Sequence, residues 1–140
     1  MTPQAAPYLL TTLLAAGVLV ANASGDAAGG RVFELRTYTA NPGKLGALNA
    51  RFRDHTIALF KKHGMEVVGF WEPVDKEAGA GEKLVYLLGH PSRAAAEANW
   101  KAFREDPEWV KVKAESEVGG VLPAKIESVF LAPTDYSPMK

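Results

Sequence analysis

Four short runs of β-branched and aromatic residues alternate with stretches of helical periodicity in the order β-α-β-β-α-β, and that order constrains the chain more than any other feature. The first run, Val32–Thr39 (VFELRTYT), sets Phe33, Leu35 and Thr37 on one face and Val32, Glu34, Arg36 and Tyr38 on the other. Asn41 is placed to cap a helix and Pro42 to open it. The helix carries Leu45, Leu48, Phe52, Thr56, Leu59 and Phe60 as an apolar stripe and ends near His63, where Gly64 suits a left-handed turn. Glu66–Glu72 reads as a second strand, 73–82 as a turn-forming connection, and Leu84–His90 as a third strand. Ser92 caps a second helix reaching about Glu105, with Ala95, Ala98, Asn99, Ala102 and Phe103 as its predicted buried side. Asp106-Pro107 begins a further short helix to about Ser116, and Ile126–Ala132 is the last strand.

This pattern predicts an α+β fold: a ferredoxin-like antiparallel sheet with its helices on one face. The other face must then meet water, a ligand or a second subunit. Placing Phe33 and Leu35 beneath the helices leaves Val32, Glu34, Arg36 and Tyr38 on the free face, joined by Leu84, Tyr86, Leu88 and His90. From the second strand, Val67, Gly69 and Trp71 are favoured there over Val68, Phe70 and Glu72. Such a face is too apolar to stay open, so a homodimer across it is expected.

The residues before position 31 are of another kind. Tyr8–Ala21 is nearly all apolar, and Ala21-Asn22-Ala23 is a small-x-small cleavage pattern. Residues 1–23 are therefore expected to be a signal peptide cleaved near Ala23, and 24–30 a flexible leader. The expected location is periplasmic or extracellular, with no membrane association after cleavage. Met1–Pro7 lacks the basic residues of an ordinary signal, which leaves open an uncleaved N-terminal membrane anchor or a different start codon. The folded domain spans 31–136, followed by a short tail, 137–140.

The 16 basic and 16 acidic residues cancel, and no basic stripe marks a nucleic-acid partner. With no cysteine, disulfides, thiolate metal sites and a cysteine nucleophile are excluded.

Phe33-Glu34-Leu35-Arg36-Thr37-Tyr38, Pro42-Gly43-Lys44, His63-Gly64-Met65 with Gly69-Phe70-Trp71, and Trp100-Lys101-Ala102-Phe103 followed by Asp106-Pro107-Glu108-Trp109 together resemble the NIPSNAP domain. The resemblance runs in register over essentially all of 31–136, and it implies a dimeric α/β barrel in which two sheets pack face to face. It implies little chemistry, because no activity is securely attached to the family. Animal members carry mitochondrial transit peptides, whereas this chain has an export-like leader, so their organelle roles do not carry over.

The candidate ligand-binding residues are Glu34, Arg36, Tyr38, Trp71, Tyr86 and His90. Glu34 and Arg36 are two apart on one strand, close enough to pair; Arg36 could hold an anionic ligand, or the pair could fix dimer register. Trp71 could stack a planar group, while Trp100, off the expected stripe of its helix, reads as packing. His55 and His63 lie two helical turns apart, too far to share a metal, and His63 suits the helix C-terminal dipole. No nucleophile motif, phosphate loop, dinucleotide fingerprint or zinc spacing is present, so no metal or cofactor is expected. The leading expectation is a module that binds a small molecule or partner on the inner sheet face. The alternative is a cofactor-independent monooxygenase or haem-handling enzyme of the dimeric α/β barrel type, resting on fold analogy alone.

Overall fold

A computed structural model describes residues 30–140; the expected signal peptide and most of the leader lie outside the described residues. The elements are β1 (Val32–Ala40), α1 (Leu45–Arg51) continuing through a π-helical turn (Phe52–Thr56) into α2 (Ile57–Lys62), β2 (Glu66–Trp71), β3 (Lys83–His90), α3 (Arg93–Glu105), α4 (Pro107–Ser116) and β4 (Pro123–Leu131). The sheet is antiparallel throughout, in the order β2-β3-β1-β4, and the two central strands are the two most buried ones. No helix among the described residues is long and apolar enough to cross a membrane.

The caps follow their local chemistry. The Ser92 side chain accepts from the Ala95 backbone N–H at the start of α3. Asp106 accepts from Glu108 N–H at the start of α4, with Pro107 at the first helical position. Gly64 ends α2 at φ +73°, a left-handed conformation that favours glycine. At the π turn the Thr56 hydroxyl also donates to the Arg51 carbonyl, at 3.2 Å.

The core lies between the sheet and the helices. Leu48, Phe52, Leu59 and Phe60 descend from α1 and α2 as the periodicity predicts, and Trp100 and Phe103 come from α3. They meet Tyr38, Leu84, Tyr86 and Leu88 on the sheet, with the Tyr86 ring 5.2 Å from Phe52 and 5.9 Å from Phe60.

This packing corrects the expected facing of the strands. The ladder pairs Val32 with His90, Glu34 with Leu88, Arg36 with Tyr86 and Tyr38 with Leu84, so these residues do share one face. That face lies under the helices, not free. Both side-chain sets of β1 contain large apolar groups, so alternation alone defines two faces without saying which is covered. Polar satisfaction decides it, because the acceptors and donors of Glu34, His90 and Trp100 meet only beneath α3. The stripe of α3 is corrected likewise: Ala96, Trp100 and Phe103 are its buried residues.

The opposite face carries Phe33, Leu35, Thr37, Val85, Leu87, Val129 and Leu131 by strand parity. Strand β2 changes parity at an irregularity between Val67 and Gly69, so Val67 and Phe70 face the helices while Gly69 and Trp71 face outward. The expected outward set thus holds for Gly69 and Trp71 but not for Val67. The Trp71 ring lies over Gly69, where a Cβ would come within 2.7 Å of it. Phe33 is buried at the end of this face where Pro133, Thr134, Ser137 and Met139 line a recess with it, but Trp71 is 53% exposed and Val129 54%, so the part left uncovered is apolar.

Candidate functional site beneath the third helix

Glu34, in the middle of a central strand, is 1% exposed and accepts four side-chain hydrogen bonds. Oε1 receives Arg36 Nη1 at 2.6 Å and Ser128 Oγ at 2.7 Å. Oε2 receives Trp100 Nε1 at 2.6 Å and His90 Nε2 at 3.0 Å. A carboxylate has about four lone-pair sites, and here all are taken. Because Glu34 only accepts, the hydrogen in the His90 bond sits on Nε2. Burial pushes the Glu34 carboxyl up, but His90, Ser128, Trp100 and Arg36 together outweigh it and hold it at about 2. Glu34 is an ionised structural anchor joining β1, β3, β4 and α3.

Arg36 extends the cluster. Burial works against its charge, while Tyr86, Tyr38 and Glu34 favour it and hold the guanidinium above its ordinary range. Its guanidinium carbon stands 4.3 Å over the Trp100 ring, and Nη2 reaches the Tyr38 hydroxyl at 3.5 Å. Burial, with Tyr38 beside it, holds the Tyr86 hydroxyl well above the usual phenol range. Arg36 Nε, Tyr86 Oη and His90 Nδ1 are buried without a hydrogen-bond partner among the described residues.

The cluster forms the floor of a recess of about 250 Å3 between α3 and β4. Its rim carries Arg93, Glu97, Arg104 and Phe130. The Arg93 guanidinium lies 3.6 Å over the Phe130 ring and donates from Nε to Glu97 at 3.1 Å. A larger recess, about 340 Å3, separates α1 from α4. There Asp54 and Glu115 oppose Arg51, itself bound to Glu117 at 3.0 Å, so no cationic character prevails. Among the described residues no group of three or more metal-ligating side chains could hold a metal ion.

Five of the six candidate residues, Glu34, Arg36, Tyr38, Tyr86 and His90, therefore come together on one face. Trp71 does not; it lies on the opposite side of the sheet. Trp100, Ser128 and Arg93 are additions. The spacing Ala96-Trp100-Phe103 is as helical as the stripe first assigned, and the indole N–H needs a buried acceptor, which is the signal that could have found Trp100. His63, assigned to the helix dipole, also bonds Asp106 at 2.7 Å.

A family model described as NIPSNAP matches residues 33–138. The chain belongs to the NIPSNAP family. No curated protein matches the chain at a significant level. Among solved structures, this NIPSNAP domain is similar to a NIPSNAP family protein from Agrobacterium tumefaciens, at TM-score 0.67 and 21% identity over 79% of this chain and 99% of that one. An uncharacterized NIPSNAP-like domain protein from Burkholderia xenovorans has the same TM-score at 18% identity, covering 79% and 90%. A second Agrobacterium tumefaciens NIPSNAP protein, of unknown function, is 21% identical at TM-score 0.67, covering 80% and 96%. At these identities the likeness speaks for the fold alone. The α+β fold expected from element order is the one found.

Proposed function

We propose that this NIPSNAP domain is a binding module that takes a small organic anion in the recess between α3 and β4, and that it does so as a homodimer joined through the uncovered sheet face. The observation carrying the first part is the charge left facing the recess. Glu34 is paired with Arg36 and Glu97 with Arg93, so the unbalanced positive charge that a ligand meets in the recess is that of Arg104. Arg93 is also the first residue of α3, where the helix dipole disfavours a cation by roughly 0.3–1 kcal/mol, and no acid occupies that first turn. An arriving anion relieves that repulsion.

The reading differs from the sequence expectation in placing the ligand on the helix side of the sheet rather than on the face between subunits. Nothing in the geometry favours the monooxygenase or haem-handling alternative. A saturated carboxylate at about 2 makes a poor general base, and His90 Nε2, the nitrogen nearest the cluster, is held by Glu34. Dimerisation is supported by the apolar character of the uncovered face. Export, with cleavage near Ala23, is proposed on the leader's composition.

The test is native mass spectrometry of the processed protein purified from its own cell. A bound organic anion that is lost in Arg104→Gln, with the fold intact by circular dichroism, is the expected result. A protein that is always ligand-free and binds no carboxylate at millimolar concentration would overturn the binding reading.

A further inference from the structure

Resting on the proposed anion recess, we infer that its ligand is a planar aromatic carboxylate of one or two rings, not a compact inorganic anion or an aliphatic acid. The inference comes from how the arginines are held. Arg36 is laid against Trp100 with its guanidinium carbon 4.3 Å from the ring centroid, and Arg93 against Phe130 at 3.6 Å. Each guanidinium carbon is thereby held over a ring, and one of its donors is used within the protein, by Glu34 and by Glu97 respectively. An arginine built to clamp phosphate keeps its fork of N–H donors free and in plane with the anion. Here the Arg36 fork is engaged by Glu34 and Tyr38, Arg93 is held through Nε by Glu97, and both offer stacking surface as well as charge.

Arg104 is different. It lines the same recess, sits on α3 eleven residues after Arg93, and makes no side-chain hydrogen bond or ion pair among the described residues. It is the free fork that receives the carboxylate, while the conjugated body stacks against the Arg36 and Arg93 guanidinium groups. The recess, about 250 Å3, lies below the roughly 300–1,000 Å3 of drug-sized sites, which limits the body to one or two rings.

The experiment is tryptophan fluorescence titration of the full-length processed protein, in a Trp71→Phe, Trp109→Phe background that leaves Trp100 as sole reporter. The probes are 2-naphthoate, cyclohexanecarboxylate, 2-naphthalenemethanol and inorganic phosphate. The expected result is that 2-naphthoate quenches Trp100 and binds at least tenfold more tightly than each of the other three. Arg104→Gln is expected to weaken 2-naphthoate at least tenfold, and Phe130→Leu to erase its advantage over cyclohexanecarboxylate. If cyclohexanecarboxylate or phosphate binds as well as 2-naphthoate, the planar assignment is overturned while the anion recess stands. If 2-naphthalenemethanol binds equally, the carboxylate requirement is overturned. If none of the anions binds, both readings fall together. If the advantage of 2-naphthoate survives Phe130→Leu, the ligand is not held against these stacks.

Discussion

The indole nitrogen of Trp100 lies 2.6 Å from Oε2 of Glu34, and this bond fastens the third helix to the central strand of the sheet. It joins a helix residue and a strand residue 66 positions apart. Replacing Trp100 by Phe keeps an aromatic ring but removes one of the four donors on a buried charge. Loss of a bond to a charged group is worth about 1.5–3 kcal/mol, and chemical denaturation should report a drop of that order. A loss below about 0.5 kcal/mol would mean that the carboxylate is not anchored as described.

Glu34→Gln tests the anchor from the other side. The amide offers one acceptor oxygen and an NH2 that faces donors, while Arg36 keeps its charge without a counter-ion. Breaking a buried pair by changing one partner costs about 3–5 kcal/mol, so the variant should be strongly destabilised or fail to accumulate. Glu34→Asp, which keeps the charge but shortens the reach, should fall between it and the parent.

Acid should act through the same carboxyl. The folded state holds Glu34 at about 2 against an ordinary value of 4.5, so between those pH values the carboxyl binds fewer protons folded than unfolded. Its contribution is fully present above pH about 4.5 and fades as pH falls toward 2. The shift corresponds to stability on the order of 3 kcal/mol. Urea midpoints measured from pH 6 to pH 2 should decline steeply in that window, and the Glu34→Gln slope there should be shallower.

On the other side of the sheet, Trp71→Glu or Val129→Lys should separate the subunits and leave each one folded. Burying a lone charge in an apolar interface should weaken association by about a hundredfold or more. Sedimentation velocity of both variants, with the near-ultraviolet spectrum as a check on folding, decides it. Dimers as tight as the parent would place the interface elsewhere.

The leader supplies a separate forecast. Intact mass of the protein recovered from outside the cytoplasm should match a chain beginning at Ser24. Recovery only as a membrane-bound, uncleaved chain would support the anchor reading instead.

Much of the fold was legible because local signals agreed with one another. Ser92, Asp106-Pro107 and Gly64 mark their boundaries through backbone chemistry that needs no knowledge of the rest of the chain. The company kept by Glu34, Arg36, Tyr38, Tyr86 and His90 was also readable, since strand alternation and ladder register bring them together. Which side they occupy was not, because Phe33 and Tyr38 are about equally suited to burial. That choice depends on Trp100 and Ser128, 66 and 94 residues from Glu34, and no local pattern reports such contacts. Strand β2 failed for a narrower reason: the irregularity after Val67 reverses the alternation in mid-strand, so neither three-residue set could be right throughout.

The alternation of β1 has one more consequence. Glu34 and Arg36 face the recess and Tyr38 the core beside it, and the residues threaded between them, Leu35 and Thr37, face the surface proposed to meet a second subunit. The proposed recognition and the proposed assembly are thus written on alternate letters of the same short word. On the proposed reading, substitutions in one register alter what is bound and substitutions in the other alter assembly, so the two properties are free to change separately.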